Sequence, residues 1–342
     1  MTVWRGVPAS NLKFKLDKRA QNYNANLKFF TYSREAIIEI LRLQQICQED
    51  EVIVPNYICS TVVSCILLFT KRIKFYPINS RLKYSNVEVV DLLTARSKLI
   101  ILVDYFGVHT DVDLSLLSTL KRQGVVIVKD ASHAFLTEFH DDFAMKYDYD
   151  YLISSVYKNL PMQVGAVGLG RFSSNCDFVS FKTFAKRFLI SCMKRLLYHF
   201  GVKKFLSNNM STIQIGDGEK LKFSRAINIV YLYKKVLSLI DTDEIIKLRK
   251  SLSMEIYDVC SDNKTFNSVF SIAEISNNVL QDFPLYFENT EQRDHVLNFL
   301  LAASIDAYTW PTYHPVCNDR ELWHKLLIVP IDRKVISLLH NV

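Results

Sequence analysis

Apolar strands alternate with helices along the first half of this chain, and that alternation constrains the fold more than any other feature of the sequence. The strand-like runs are Glu51–Pro55, Ile73–Pro77, Lys98–Val103 and Gly124–Val128, and the helical runs are Arg34–Cys47, Tyr57–Thr70 and Asp113–Arg122. The former are short and apolar, whereas the latter repeat apolar residues at helical spacing. This order predicts an α/β fold, with a doubly wound, mainly parallel sheet and helices on both faces.

The pattern changes after Gly170 and changes back near the C-terminus. A long helical stretch rich in lysine and arginine covers Phe178–Leu206, and two more helices are predicted within Leu221–Cys260. The predicted elements that follow are strands Phe283–Phe287, Ile305–Tyr308 and Leu326–Val329, helix Thr290–Ala303 and a closing helix. We therefore predict a large α/β domain at 1–175, a helical linker region at 176–262 and a small C-terminal α+β domain at 263–342.

The composition is that of a globular protein with an excess of basic residues. Of 342 residues, 49% are hydrophobic and 23% are charged, which excludes a disordered or fibrous chain. The formal net charge of +7 favours anionic partners. Because no nucleic-acid-binding motif or arginine-rich tail accompanies this charge, we expect an anionic small molecule rather than nucleic acid.

The cysteines and the N-terminus indicate the compartment. The chain has seven cysteines, an odd number, and none of them forms a Cys-x-x-Cys pair. Most lie in apolar surroundings, as buried thiols of a reducing compartment do. The N-terminus lacks a secretory signal, and no window offers about 18 uninterrupted apolar residues. We predict a cytoplasmic protein, and we predict no metal site.

An acid and a lysine follow two neighbouring strand-like segments. Asp130 ends the apolar run that begins at Gly124, and Lys158 follows Tyr151–Ser155. In open α/β sheets ligands bind beyond the carboxyl ends of the strands. A lysine that forms a Schiff base and a carboxylate that keeps a pyridine nitrogen protonated are what pyridoxal 5'-phosphate (PLP) requires. The alternatives are a surface lysine in a turn and an aspartate that caps a helix.

Other candidate site residues surround this pair. His133, three residues beyond Asp130, could face a cofactor, orient the carboxylate or serve as a structural histidine. Ser155, three residues before Lys158, could reach a cofactor phosphate. Cys59 lies in a segment that follows a strand-end proline and should line the same rim of the sheet.

A helix N-terminus offers a second phosphate contact. Ser33 is placed as an N-cap, and the amides that follow it, beginning with Arg34, would form a natural phosphate seat. The simpler interpretation of Ser33 is a plain N-cap.

Six segments of the chain together resemble a known family. They are Phe30–Ile37, Val54–Cys59, Val103–Gly107 with Asp111, Lys129–Ala134, Ser155–Pro161 and Asp282–Pro315. They are similar to the Ser-Gly-Arg-x-Ala-Leu, Pro-x-Tyr-Thr, His-x-Tyr-Gly-x-x-x-Asp, Glu-Asp-Ala-Ala-His/Gln-Ala, Schiff-base lysine and C-terminal elements of the DegT-type sugar aminotransferases. The chain departs from the family's motifs at three places: Ser33 replaces a glycine, Lys129 replaces a glutamate, and Leu206–Ser224 lacks a Gly-x-Asn-x-Arg segment.

The resemblance implies a fold and a function. It implies a fold-type I PLP transferase with a seven-stranded-type sheet and a smaller C-terminal lobe, and a homodimer. It implies Asp130 at the pyridine nitrogen, His133 beside the ring and Lys158 as the Schiff-base lysine. The expected substrate is a keto-sugar, nucleotide-linked, with glutamate as a plausible amino donor, in surface-glycan or polysaccharide biosynthesis.

Two alternatives to a sugar aminotransferase stay open for the function. The chain could keep the fold and catalyse another reaction, such as a dehydration or a reaction of a non-sugar carbonyl, or it could bind a partner without catalysis. Lys158 argues against a dehydratase, since that branch of the family has histidine there.

The basic helix also has more than one interpretation. The helix Phe178–Leu206 could simply bridge two lobes, or it could rest on anionic lipid or surround a substrate diphosphate.

Overall fold

The computed structural model describes residues 26–110, 112–140, 149–199, 227–309 and 324–342. A seven-stranded sheet forms its centre, with strand order β1-β7-β6-β5-β4-β2-β3. The strands are β1 Asn26–Phe30, β2 Glu51–Pro55, β3 Ile73–Tyr76, β4 Ser97–Val103, β5 Val126–Asp130, β6 Tyr151–Ser155 and β7 Ala166–Gly170. Five of them, β6 to β3 in spatial order, run parallel, and β7 is antiparallel to both of its neighbours. The predicted α/β fold with a mainly parallel sheet is confirmed.

Helices cover the sheet and fill the middle of the chain. They are α1 Ser33–Leu43, α2 Ser60–Ile66, α3 Asn86–Asp91, α4 Leu114–Arg122, α5 Phe135–His140, α6 Val156–Asn159, α7 Phe181–His199, α8 Val230–Leu237 and α9 Thr242–Asp262. The helix α1 buries one face, which includes Ala36, Ile37, Ile40 and Leu41. No helix within these described ranges is long and apolar enough to cross a membrane.

A second, antiparallel sheet follows. Its strands β8 Phe266–Ser268, β9 Phe283–Phe287 and β10 Leu326–Val329 are ordered β10-β9-β8. The accompanying helices are α10 Ile272–Asn277, α11 Thr290–Ala302 and α12 Arg333–Leu339. Strands β9 and β10 lie where the sequence predicts them. The predicted strand Ile305–Tyr308 is wrong, because only an isolated bridge between Tyr308 and Ile328 forms there.

The start of α1 also differs from its prediction. Ser33 is the first residue of the helix and not its N-cap, which is Tyr32. The Tyr32 side chain forms no capping hydrogen bond. Instead, the Glu35 carboxylate turns back and accepts the N–H of Thr31 at 2.9 Å. The Ser33 hydroxyl is therefore available for another contact.

The loop after β4 and the segment before β9 meet backbone to backbone. Gly107 has a φ of +102°, and a Cβ built on it would lie 2.3 Å from the Val279 carbonyl oxygen and 2.7 Å from the Leu280 Cα. The Phe106 carbonyl accepts the N–H of Gln281 at 2.8 Å. Because the neighbouring atoms are backbone, only glycine fits at position 107.

We expect Gly107→Ala to destabilise the protein by several kcal/mol, since it combines backbone strain with an unrelieved clash, on the order of 1–3 kcal/mol for each. Gly124→Ala is the matched control: Gly124 also has a positive φ, of +70°, but nothing lies within 4 Å of the added Cβ. Chemical denaturation of both variants measures the difference. Equal losses would show that the contact with Val279 does not matter.

Candidate active site

Asp130 and Lys158 lie at the same edge of the central sheet. Asp130 is the last residue of β5, and Lys158 belongs to the single turn α6 that follows β6. The two strands are parallel neighbours, with Asp130 in register with Ile153. Parallel strands end at the same edge, so the topology brings the predicted acid and the predicted lysine to one place.

The Asp130 carboxylate is buried and has a raised pKa. Its Oδ1 accepts the N–H of Ser132 at 2.9 Å. Burial raises the pKa of this carboxyl, while the Ser132 hydrogen bond and the charge of Lys158 oppose the rise. A carboxylate in this situation gains from any cationic N–H donor brought to it.

His133 is fixed as a neutral ring beside Asp130. It is buried and stacks on the ring of Phe106 at 5.3 Å between centroids and 25° between planes. The Phe106 N–H donates to its Nδ1 at 3.4 Å. Burial, with a contribution from the charge of Lys158, holds the pKa of His133 well below its usual value. This histidine therefore presents a flat, uncharged surface.

Lys158 acts on a second carboxyl, that of Asp282, which sequence reasoning missed. Asp282 accepts hydrogen bonds from the Tyr308 hydroxyl at 2.9 Å and from the Gln281 amide at 2.8 Å. Burial raises the pKa of Asp282, against the charges of Arg249 and Lys158, among other contributions. No local sequence signal marks this aspartate, since only the tertiary fold brings it towards a lysine 124 positions earlier, the difference between 282 and 158.

The structure brings together Ser33 and Ser155, the two serines that the sequence predicts as phosphate contacts. Their hydroxyl oxygens are 2.6 Å apart, and both residues are buried. Ser33 opens α1, whose first amides carry the positive end of the helix dipole. The guanidinium of Arg34 lies 4.5 Å from the centre of the Tyr32 ring.

Cys59 is not joined to this group. It precedes α2 as the N-cap residue and packs against the main hydrophobic core. In the described part of the chain no contact links it to Lys158 or Asp130. Trp310 and Pro311, in the C-terminal segment that resembles the family, lie outside the described residues, as do Asp111 and Leu206–Ser224.

A buried ionic cluster lies directly behind the site. The Lys129 ammonium is 2.6 Å from the Asp104 carboxylate, and both side chains are completely buried. The His109 Nδ1 is 2.7 Å from Glu138 and 3.6 Å from Asp104. Lys129 also donates to the carbonyl of Thr110 at 3.1 Å.

The cluster has the shape of a metal site but is already occupied by a side-chain cation. One ligand atom each of Asp104, His109 and Glu138 lies within 4.8 Å of the others. The Lys129 ammonium, however, already forms an ion pair with Asp104, so a metal ion bound to this carboxylate would compete with it. Burial alone would lower the pKa of His109, but the charge of Asp104 and the hydrogen bonds to Asp104 and Glu138 together raise this pKa to about 9.

The raised His109 pKa predicts how stability depends on pH. Its folded pKa exceeds its ordinary value, so its contribution is complete below about pH 6.5 and is lost as pH rises through about 9. The free energy of unfolding should therefore fall over this window, by at most about 1.4 kcal/mol per pH unit. Among the residues that the structure describes, Lys129, Asp104 and Glu138 are charged groups that face this ring.

Denaturation of His109→Gln across this window should show a flatter pH profile. The control is His340→Gln, which alters an exposed histidine near the C-terminus. If wild type and His109→Gln gave parallel profiles, His109 would not be the group that titrates.

Comparisons with known proteins agree with this geometry. The sequence model of the DegT/DnrJ/EryC1/StrS aminotransferase family matches residues 32–177. Among solved structures, a DegT DnrJ EryC1 StrS aminotransferase from Brucella abortus is 12% identical, with a TM-score of 0.65 over 98% of this chain and 91% of that chain. Helicobacter pylori PseC, an aminotransferase involved in the biosynthesis of pseudoaminic acid, is 13% identical, with a TM-score of 0.64 over 99% of this chain and 91% of that chain.

A third structure contains a cofactor. NtdA from Bacillus subtilis, with bound cofactor PMP, is 15% identical, with a TM-score of 0.63 over 97% of this chain and 77% of that chain. The shared fold agrees with the predicted α/β architecture, and the match over residues 32–177 covers all or most of five of the six segments that resemble the family.

Proposed function

We infer that this chain, whose residues 32–177 match the model of the DegT/DnrJ/EryC1/StrS aminotransferase family, transfers an amino group to a nucleotide-linked keto-sugar. The observation that carries this proposal is the joint placement of Lys158, Asp130 and His133. The charge of Lys158 acts on both of the other residues at the carboxyl edge of the sheet. A chain without catalysis would have no reason to bring these three groups together.

The residues present fit PLP. The Asp130 carboxylate is buried and its pKa is raised, because burial disfavours its charged form. A protonated pyridine nitrogen would stabilise that charged form by a hydrogen bond. Ser33 and Ser155 offer hydroxyls, and α1 offers amides, for a phosphate. The neutral ring of His133 suits a planar aromatic neighbour. When bound, PLP supplies a carbonyl that reacts with amines and a pyridinium ring that withdraws electrons.

Each of these side chains has a defined task in the proposed mechanism. Lys158 supplies the amine for covalent attachment, and its free amine moves the proton to and from the amino donor's Cα. Asp130 keeps a proton on the pyridine nitrogen. Because His133 stays uncharged, it orients the ring without competing for that proton.

The substrate class rests on charge and on family. The net charge of +7 suits a nucleotide diphosphate. Helicobacter pylori PseC, with the same fold, is an aminotransferase of pseudoaminic acid biosynthesis. We propose glutamate as the amino donor and surface-glycan or polysaccharide biosynthesis as the role.

The proposal extends to assembly and compartment. We propose a homodimer, as fold-type I sites usually lie at a subunit interface, and a cytoplasmic location. The free state of the six cysteines in the described ranges supports a reducing compartment. Sedimentation at micromolar concentration tests the dimer, and a monomer would contradict it.

Lys158→Ala provides the test of the function. Wild-type protein mixed with PLP should develop an absorbance band near the visible edge that reduction with borohydride fixes covalently. Lys158→Ala should abolish covalent fixation and lower transamination by at least about a thousandfold, since both the attachment and the proton transfer are lost. The control Lys98→Ala removes an exposed lysine from β4 and should leave both properties unchanged.

Two results would overturn the proposal. Absence of the band in the wild type would exclude PLP. Turnover of the sugar without stoichiometric consumption of the donor's amino group would indicate a dehydratase.

A further inference from the structure

An arginine of the long basic helix α7 contacts the two tyrosines that precede Ser33 and Lys158 in the chain. The Arg187 guanidinium lies 5.2 Å from the centre of the Tyr32 ring and 5.8 Å from that of Tyr157. Tyr32 directly precedes Ser33, and Tyr157 directly precedes Lys158. Arg187 is thus held beside the two chain positions that a cofactor phosphate and a cofactor aldehyde would have to reach.

The two tyrosines form a cradle for this cation. Their rings are 5.7 Å apart with 81° between the planes, so one guanidinium can approach both faces. Burial raises the pKa of Tyr32, while Arg187 lowers it by its charge and by a hydrogen bond. The phenol is accordingly neutral and its oxygen is turned towards the guanidinium.

Arg187 is exposed, but the segment that leads into its helix is tied to the stretch before α1. The Ser180 N–H donates to the Thr31 hydroxyl at 3.1 Å, and the Phe178 N–H donates to the Phe29 carbonyl at 2.9 Å. Both bonds join the start of α7 to the stretch that leads into α1. Phe184, one turn before Arg187, packs against a cluster of buried apolar side chains.

The charge around Arg187 is unbalanced. No carboxylate of the described residues lies within 4.0 Å of its guanidinium, in contrast to Lys28 and Lys234, which both pair with Asp177. Glu35, the acid at the start of α1, is turned to the N–H of Thr31. Arg34 and the α1 N-terminus add further positive potential at Tyr32.

We propose that Arg187 is a cofactor-binding residue that supplies, from the same chain, the cation for the phosphate of PLP. This inference rests on the proposed function. Planar guanidinium groups bind phosphate through paired hydrogen bonds, and the Ser33 and Ser155 hydroxyls complete the phosphate contact. The single chain then carries both the attachment lysine and the positive charge that the phosphate needs.

The experiment compares two aldehydes that differ only in the phosphate. Binding of PLP and of pyridoxal is measured by absorbance titration for wild type, Arg187→Gln and Lys186→Gln. The last is the matched control, since Lys186 is the neighbouring exposed cation and makes no cation–π contact in the described part of the chain. We expect Arg187→Gln to weaken PLP about tenfold or more, to leave pyridoxal unchanged, and to reduce the salt dependence of PLP binding.

Every other outcome separates the two proposals. Unchanged PLP affinity in Arg187→Gln, with a wild type that binds PLP, would overturn the role of Arg187 and leave the proposed function intact. Equal weakening of PLP and pyridoxal would also overturn it, because it would mark a structural role for the tyrosine cradle. A wild type that binds neither aldehyde would overturn the proposed function itself.

Discussion

The ion pair between Asp104 and Lys129 is the contact on which the site depends. Asp104 directly follows β4, and Lys129 is the penultimate residue of the neighbouring strand β5. Their charged groups are 2.6 Å apart without exposure to water. A buried charge left alone costs several kcal/mol, so neither residue can be removed singly. Asp104 also accepts the N–H of Thr110 at 2.7 Å, which folds the loop after β4 back on itself. That loop presents Phe106, and Phe106 in turn fixes His133.

Among the described residues, the cluster behind Asp130 holds two cations and two carboxylates. With His109 protonated, Lys129 and His109 face the carboxylates of Asp104 and Glu138. Lys129, which stands where the family's motif has a glutamate, is thus paired in this fold with the Asp104 carboxylate.

The sequence predicts the strands β2, β9 and β10 to the residue, because each is a short apolar run with clear ends. It also predicts that Asp130 and Lys158 lie at one edge of the sheet, since parallel neighbouring strands end there. It fails where partners are distant in the chain. Neither the start of α1 at Ser33 nor the direct contact between the Ser33 and Ser155 hydroxyls has a local signal. Asp282 and the position of Arg187 likewise depend on tertiary packing, which no local pattern records.

The close approach at Gly107 bears on how far such a sequence can diverge. The loop that carries Phe106 meets the segment before β9 through main-chain atoms on both sides. A contact between main-chain atoms does not depend on the side chains of Val279 and Leu280. It requires only that one position lack a Cβ. The contact that joins the loop after β4 to the segment before β9 therefore depends on backbone shape more than on residue identity, and it constrains the sequence at Gly107 alone.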